Sequence, residues 1–193
     1  FDRFFSGLVG LAEILVGGGE FVSAVAVVKQ WVDSPMREDR PEAERERLAS
    51  LGVEIVRELR DRNAVDVAEI LRRAFPDDYA LLEAFVMETK IGQPERAMRA
   101  VEDFLDRNPE SLRAWWRKID LLERAEADNL RDVLGSTEER FALDSADDWG
   151  QLGRRYANLG DRTKALDCYR EALEIEPSSQ YYRDRVSELE ETA

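Results

Sequence analysis

The chain has 193 residues, enough for one compact domain or one repeat array, and its 44% hydrophobic and 36% charged content is ordinary for a soluble helical protein. With 28 Lys and Arg against 42 Asp and Glu, the net charge of −14 argues against nucleic acid or an anionic membrane as the main partner. Histidine is absent and Cys168 is the one cysteine, which removes the commonest general base, the commonest metal ligand and any intrachain disulfide, so no cofactor and no metal site is expected.

A start at Phe1 rather than Met is what a processed product or a piece of something longer would show. Leu8 to Val16 is apolar, but it is short and interrupted by Gly10 and Glu13. It makes no membrane span and lacks the charged start of a signal peptide, so a cytoplasmic location without membrane insertion is expected. Within it, Leu8, Leu11, Ala12 and Leu15 form a helical stripe. Gly17, Gly18 and Gly19 end that helix as a turn; a phosphate loop would continue with Lys-Ser or Lys-Thr, and Glu20-Phe21 follows instead. Ala24, Val28 and Trp31 then line a second helix, which Asp33-Ser34-Pro35 closes. Phe1, Phe4, Phe5 and Leu8 give the first helix apolar residues on more than one face, a candidate surface for self-association as a homodimer.

Met36 to Glu44 is polar, carries Pro41 and reads as a longer connection. A second pair of helices carries Leu48, Leu51, Gly52 and Ile55, then Ala64, Ala68 and Leu71, with Asp61-Arg62-Asn63 as the turn between them and Pro76 as the stop. A third carries Leu81, Ala84, Phe85 and Glu88, then Ala97, Val101 and Phe104, divided by Gly92-Gln93-Pro94-Glu95 and closed by Pro109. The fourth opens on Trp115, Ile119 and Leu122, but Arg131 and Gly135 stand where Ala and an aromatic belong. Ser136-Thr137-Glu138-Glu139 has the form of a capping box, so a shortened or broken second helix with a fresh short helix is expected there.

The fifth unit, Ala146 to Ser179, carries Trp149, Leu152, Gly153, Tyr156, Gly160, Ala165, Tyr169, Ala172 and Pro177 in one frame. That is W-x2-L-G-x2-Y followed by A-x3-Y and a closing proline. Gly160 suits the left-handed residue that ends a helix, Asp161 opens the next one, and Pro177 stops it. The closing prolines at 76, 109 and 177 lie 33 and 68 residues apart, one repeat of about 34 and two of them. From Ser179 a last helix shows Tyr182, Val186 and Leu189 on one face and a Glu-rich outer face, as a terminal cap requires.

This frame resembles the tetratricopeptide (TPR) repeat, strongly in the fifth unit and in skeleton through the second and third. The resemblance implies an all-α fold: a right-handed TPR-type α-solenoid of about five helix–turn–helix repeats plus a C-terminal capping helix. The expected repeats are 5–35, 45–77, 78–111, 112–145 and 146–179 in a single domain over 1–193, with the cap at 179–191.

The resemblance also implies a function class: a non-catalytic protein–protein interaction scaffold that binds a peptide or partner helix in a concave groove lined by first helices. The groove-facing slots hold Tyr79, Leu82, Val86 and Lys90 in the third unit, Arg113, Trp116, Asp120 and Arg124 in the fourth, and Arg154 and Asn158 in the fifth. Trp116 is the sharpest of these, since Trp115 fills the structural slot and Trp and Arg are frequent binding anchors. The family's carboxylate clamp for chaperone tails needs Lys-x3-Asn and, two repeats on, Lys-x3-Arg; Leu82 and Val86, then Gly150 and Arg154, occupy those slots, which argues against it. Alternatives are homo-oligomerisation through the N-terminal helix and a regulatory segment of a larger enzyme. No catalytic constellation emerges from the carboxylates, which read as solvated faces and ion pairs, and Asp144 to Asp148 lacks the spacing and glycine of a calcium loop.

Overall fold

The computed structural model describes the backbone of residues 2–34, 41–59 and 62–191, and the side chains of 7–34, 41–59 and 64–191. Among the described residues there are eleven helices and no strand. They are α1 (Asp2–Gly17), α2 (Phe21–Val32), α3 (Glu42–Glu58), α4 (Arg62–Ala74), α5 (Tyr79–Thr89), α6 (Pro94–Arg107), α7 (Leu112–Arg124), α8 (Leu130–Arg140), α9 (Ala146–Asn158), α10 (Arg162–Ile175) and α11 (Gln180–Glu191). They gather into two compact units, residues 1–121 and 122–193.

In the first unit α1 packs on α2 and α3, α2 on α3 and α4, α3 on α4 and α5, and α5 on α4 and α6. A helix pair leaves one side of each helix uncovered, and stacking the next pair supplies the missing cover. The core runs through Ala24, Val28 and Trp31 of α2, Leu48 and Ile55 of α3, Ala68 and Leu71 of α4, and Ala97, Val101 and Phe104 of α6, all buried. Trp31 stacks on Phe75 with ring centroids 5.8 Å apart. Gly52 lets α3 and α4 meet closely, because a Cβ there would lie 2.7 Å from Cδ1 of Leu71.

The second unit repeats the device. A Cβ on Gly153 would meet the Tyr169 ring at 3.0 Å, so the glycine admits the aromatic ring of α10 against α9. Tyr182 of α11 is buried with Ala146, Tyr169 and Ala172, and Val186 and Leu189 pack on the same cluster. Tyr182, Val186 and Leu189 thus share one inward face, as their spacing predicts.

Three helix ends share one left-handed turn. Gly19 after α1 has φ +77°, Gly160 after α9 has φ +72°, and Glu126 after α7 has φ +50°. In each, the following N–H reaches back to a carbonyl five residues earlier, Glu20 to Leu15, Ala127 to Leu122 and Asp161 to Tyr156, at 2.8–3.0 Å. The glycine turn at 17–19 is therefore a helix stop, as its composition predicts. Asp161 caps α10 by accepting the Lys164 N–H at 3.3 Å.

Several boundaries differ from the expected ones. Arg62 and Asn63 belong to α4 and Glu42 to Glu44 to α3; Pro35, Met36 to Arg40 and Asp61 lie outside the described residues. The fourth unit's second helix is shortened but unbroken, a single α8 of 11 residues with no fresh helix at Ser136. Ser136 and Thr137 sit inside it and donate to the carbonyls of Asp132 and Val133 at 2.8 Å, so both hydroxyls are satisfied within the helix and cap nothing. Leu130 and Leu134 fill the core in place of Arg131 and Gly135, one residue earlier than the 34-residue frame places them.

Candidate functional site

The first helices of the third and fourth pairs bring one set of expected groove residues together. Asp78 caps α5 by accepting the Leu81 N–H at 3.0 Å and so fixes Tyr79 in the helix's first turn. The Tyr79 ring meets Phe104 edge-on with centroids 6.1 Å apart, its hydroxyl donates to the Arg113 carbonyl at 3.3 Å, and the Arg113 guanidinium lies 5.9 Å from the ring centre. Burial raises the Tyr79 phenol above its ordinary pKa, so it is a neutral donor at physiological pH. Arg117 pairs with Glu83 on the neighbouring helix and with Asp120 at 3.2 Å on its own. The result is an aromatic and guanidinium face across α5 and α7, with Arg113 exposed and Tyr79, Arg117 and Asp120 half-buried.

Other expected groove residues are elsewhere. Leu82 and Val86 are 0% and 1% exposed, so they do not line an open groove. The reason is that α5 is enclosed by α3, α4 and α6 and buries residues on nearly every side. Lys90 caps the C-terminal end of α5, half-buried, with its ammonium 2.9 Å from the Met87 sulfur. Trp116 is half-buried. The residues 34 positions before and after it, Leu82 and Gly150, are both buried. Its neighbour Trp115 donates its indole N–H to the Pro109 carbonyl at 3.0 Å, and Trp149 does the same to Leu143 at 3.0 Å, each six residues back.

In the second unit, Arg124 and Arg154 are exposed, and Asn158 donates to Glu123 at 3.0 Å. Arg155, which sequence reasoning passed over, is 2% exposed, lies 3.6 Å from the other Glu123 oxygen and donates to the Gln151 carbonyl at 3.2 Å. Its only sequence signal is its place between the buried Gly153 and Tyr156. Of the self-association residues, Leu8 is buried in the core of the first unit and is not available as a surface anchor, because α1 turns that side to its own neighbours. Phe1 lies outside the described residues, as do the side chains of Phe4 and Phe5. No described helix is long and apolar enough to cross a membrane.

Residues 146–179 match the family model of the tetratricopeptide repeat. A comparison with curated protein sequences finds no match. Among solved structures the chain is similar to YrrB, a TPR protein with an unusual peptide-binding site, at 19% identity and a TM-score of 0.57 over 92% of this chain and 89% of that one. It is similar to TTC0263, a thermophilic TPR protein of Thermus thermophilus, at 16% identity and a TM-score of 0.55 over 96% and 98% of the two chains. MamA residues 41 to the end from Desulfovibrio magneticus RS-1 gives 15% identity and a TM-score of 0.60 over 91% and 97%. Residues 146–179 are a tetratricopeptide repeat, and the chain as a whole has the all-α solenoid fold of TPR proteins.

Proposed function

We propose that the protein is a non-catalytic interaction scaffold that binds a peptide or partner helix along its first helices. In this reading the pairs from α1/α2 to α9/α10 are the repeats and α11 the cap. The carrying observation is the face built by Tyr79, Arg113 and Arg117, where an aromatic ring and two guanidiniums meet on adjacent first helices. Aromatic side chains supply large, rigid contact area and Arg supplies directional, bidentate hydrogen bonds, the usual make-up of binding anchors. Trp116 and Asp120 extend this face, while Arg124, Arg154 and Asn158 offer polar contacts in the second unit. The similarity to YrrB, named for a peptide-binding site, supports the same class. A net charge of −14 disfavours nucleic acid.

The test is a photo-crosslinking amino acid placed at Arg113 in one variant and at the exposed Arg183 of α11 in another. In the source cell extract, a protein captured at 113 and not at 183, and lost when Tyr79→Ala is added, supports the reading. Equal capture at both positions sinks it.

Self-association is a second reading, now carried by Leu11 and Ile14, which are 44% and 72% exposed and three residues apart on α1.

A further inference from the structure

The second-helix side of the first unit carries a feature that the first-helix reading does not use. Between α4 and α6 lies a cleft of about 290 Å³ lined by Glu69, Arg72, Arg73, Arg96, Arg99 and Asp103. Four guanidiniums face two carboxylates there, a local excess of positive charge on a chain whose net charge is −14. Sequence reading had no reason to join these residues, since they come from two helices more than twenty positions apart.

The floor of the cleft is fixed. Arg72 is 11% exposed in its side chain and lies 5.3 Å from the centre of the Phe85 ring, and Arg96 lies 5.6 Å from the same ring. Glu69, 15% exposed, accepts from Arg72 at 3.3 Å and Arg73 at 2.7 Å, and the Arg96 guanidinium stands 3.9 Å away. One carboxylate is thus shared among three cations. Asp103 stands 3.8 Å from Arg72. The Arg99 side chain reaches only the Glu95 backbone carbonyl, at 3.4 Å, and among the described residues it has no carboxylate partner. Arg73 is 74% exposed in its side chain, and Arg99 is exposed too. Two outer guanidiniums therefore stand over a base of two inner ones that packing has already immobilised, which lowers the entropy lost when a ligand orders the site.

We propose that this cleft docks an acidic peptide segment, with Arg73 and Arg99 taking carboxylates from two of its Asp or Glu side chains. Guanidinium forks bind carboxylates in bidentate pairs, and at physiological salt screening over about 8 Å leaves the nearby arginines to outweigh the acidic remainder of the surface. The cleft lies just under the roughly 300–1,000 Å³ of small-molecule pockets, and its charged lining suits side chains of a peptide rather than an apolar cofactor.

The probe is a fluorescein-labelled Glu-rich peptide of about ten residues, with its Gln counterpart as the neutral control, followed by fluorescence anisotropy. Expected is binding of the Glu peptide alone, weakened about tenfold or more between roughly 50 and 300 mM NaCl. R73E/R99E should weaken it at least about tenfold further, whereas the charge-matched R57E/R183E, on exposed positions outside the cleft, should stay within about twofold of wild type. R99A, which removes one cation without adding a charge, should give an intermediate loss. Circular dichroism checks that each variant is folded. Binding that R73E/R99E leaves unchanged, or no binding by wild type, overturns the proposal. So does binding lost in R113E but kept in R73E/R99E, which would move acidic peptides to the first-helix face. A phosphoserine peptide that binds about tenfold more tightly than the Glu peptide overturns the carboxylate assignment.

Discussion

The Cβ atom that Gly150 lacks would lie 2.6 Å from Cε1 of Tyr182 and 2.9 Å from its hydroxyl oxygen. The missing side chain on α9 is therefore the space that the ring of α11 occupies. Alanine in mid-helix gains about 1 kcal/mol of propensity over glycine, while overpacking costs about 1–3 kcal/mol. The clash wins because both partners are buried. Gly150→Ala should lower stability by ~1 kcal/mol in urea unfolding. The same change made in a Tyr182→Ala background should be neutral or stabilising, since only the propensity gain remains.

Glu126 follows α7 in the left-handed region, φ +50°, where Gly19 and Gly160 serve the other two helix ends of this type. A side chain there is strained and a glycine is not. Glu126→Gly should raise stability by ~0.5–1 kcal/mol, and Gly160→Ala should lower it by ~1 kcal/mol, both read as urea midpoints at constant m. A Glu126→Gly variant less stable than wild type would mean that the glutamate side chain makes a compensating contact.

Cys168 is 1% exposed, and burial pushes its thiol up to about 12 from an ordinary 9.0. Burial also raises Tyr156 and Tyr169, the first with Glu138 beside it. Two measurements follow. Disulfide-exchange labelling at about pH 8 should be slower in the folded protein than in urea by about 100-fold or more. All three groups are neutral when protonated, so their raised folded values favour the native state fully below the unfolded thiol value. That contribution is lost as pH climbs through the folded values, and the urea midpoint should fall steadily from about pH 9 to pH 11. A midpoint flat across that range would contradict the burial of these side chains.

Leu11 and Ile14 decide the self-association reading. On that reading, light scattering at ~100 μM gives a mass above monomer, and L11D/I14D returns it to monomer without loss of helicity. A wild type that is already monomeric excludes it.

Much of the helical skeleton was legible in the sequence because glycine and proline carry their effects locally. Gly17 to Gly19, Gly160 and Pro94 mark helix ends whatever surrounds them. The periodic stripes of Leu48/Ile55 and Ala97/Val101/Phe104 identify core faces for the same reason. What a stripe does not reveal is how many neighbours a helix has. In Leu81 to Val86 only Glu83 interrupts the apolar residues, and that breadth of apolarity was itself the sign that α5 is enclosed and that Leu82 and Val86 belong to the core. In α8 the frame slips by one residue, so Leu130 and Leu134 replace Arg131 and Gly135, and a fixed period cannot report such a slip. The arginine cleft was invisible for another reason, since charge counts sum over the chain and it is the packing of α4 beside α6 that concentrates Arg72, Arg73, Arg96 and Arg99.

The two tryptophan anchors bear on where this chain tolerates extra sequence. Trp115 holds the carbonyl of Pro109 and Trp149 that of Leu143, so each indole closes a ring across the segment entering its own helix. Residues added at 109–111 or 143–145 would have to open that ring and strand a half-buried indole N–H. The turn at 125–129 is spanned by no such tie from either indole, so residues added there, at the cost of its left-handed stop at Glu126, would leave both indole rings closed.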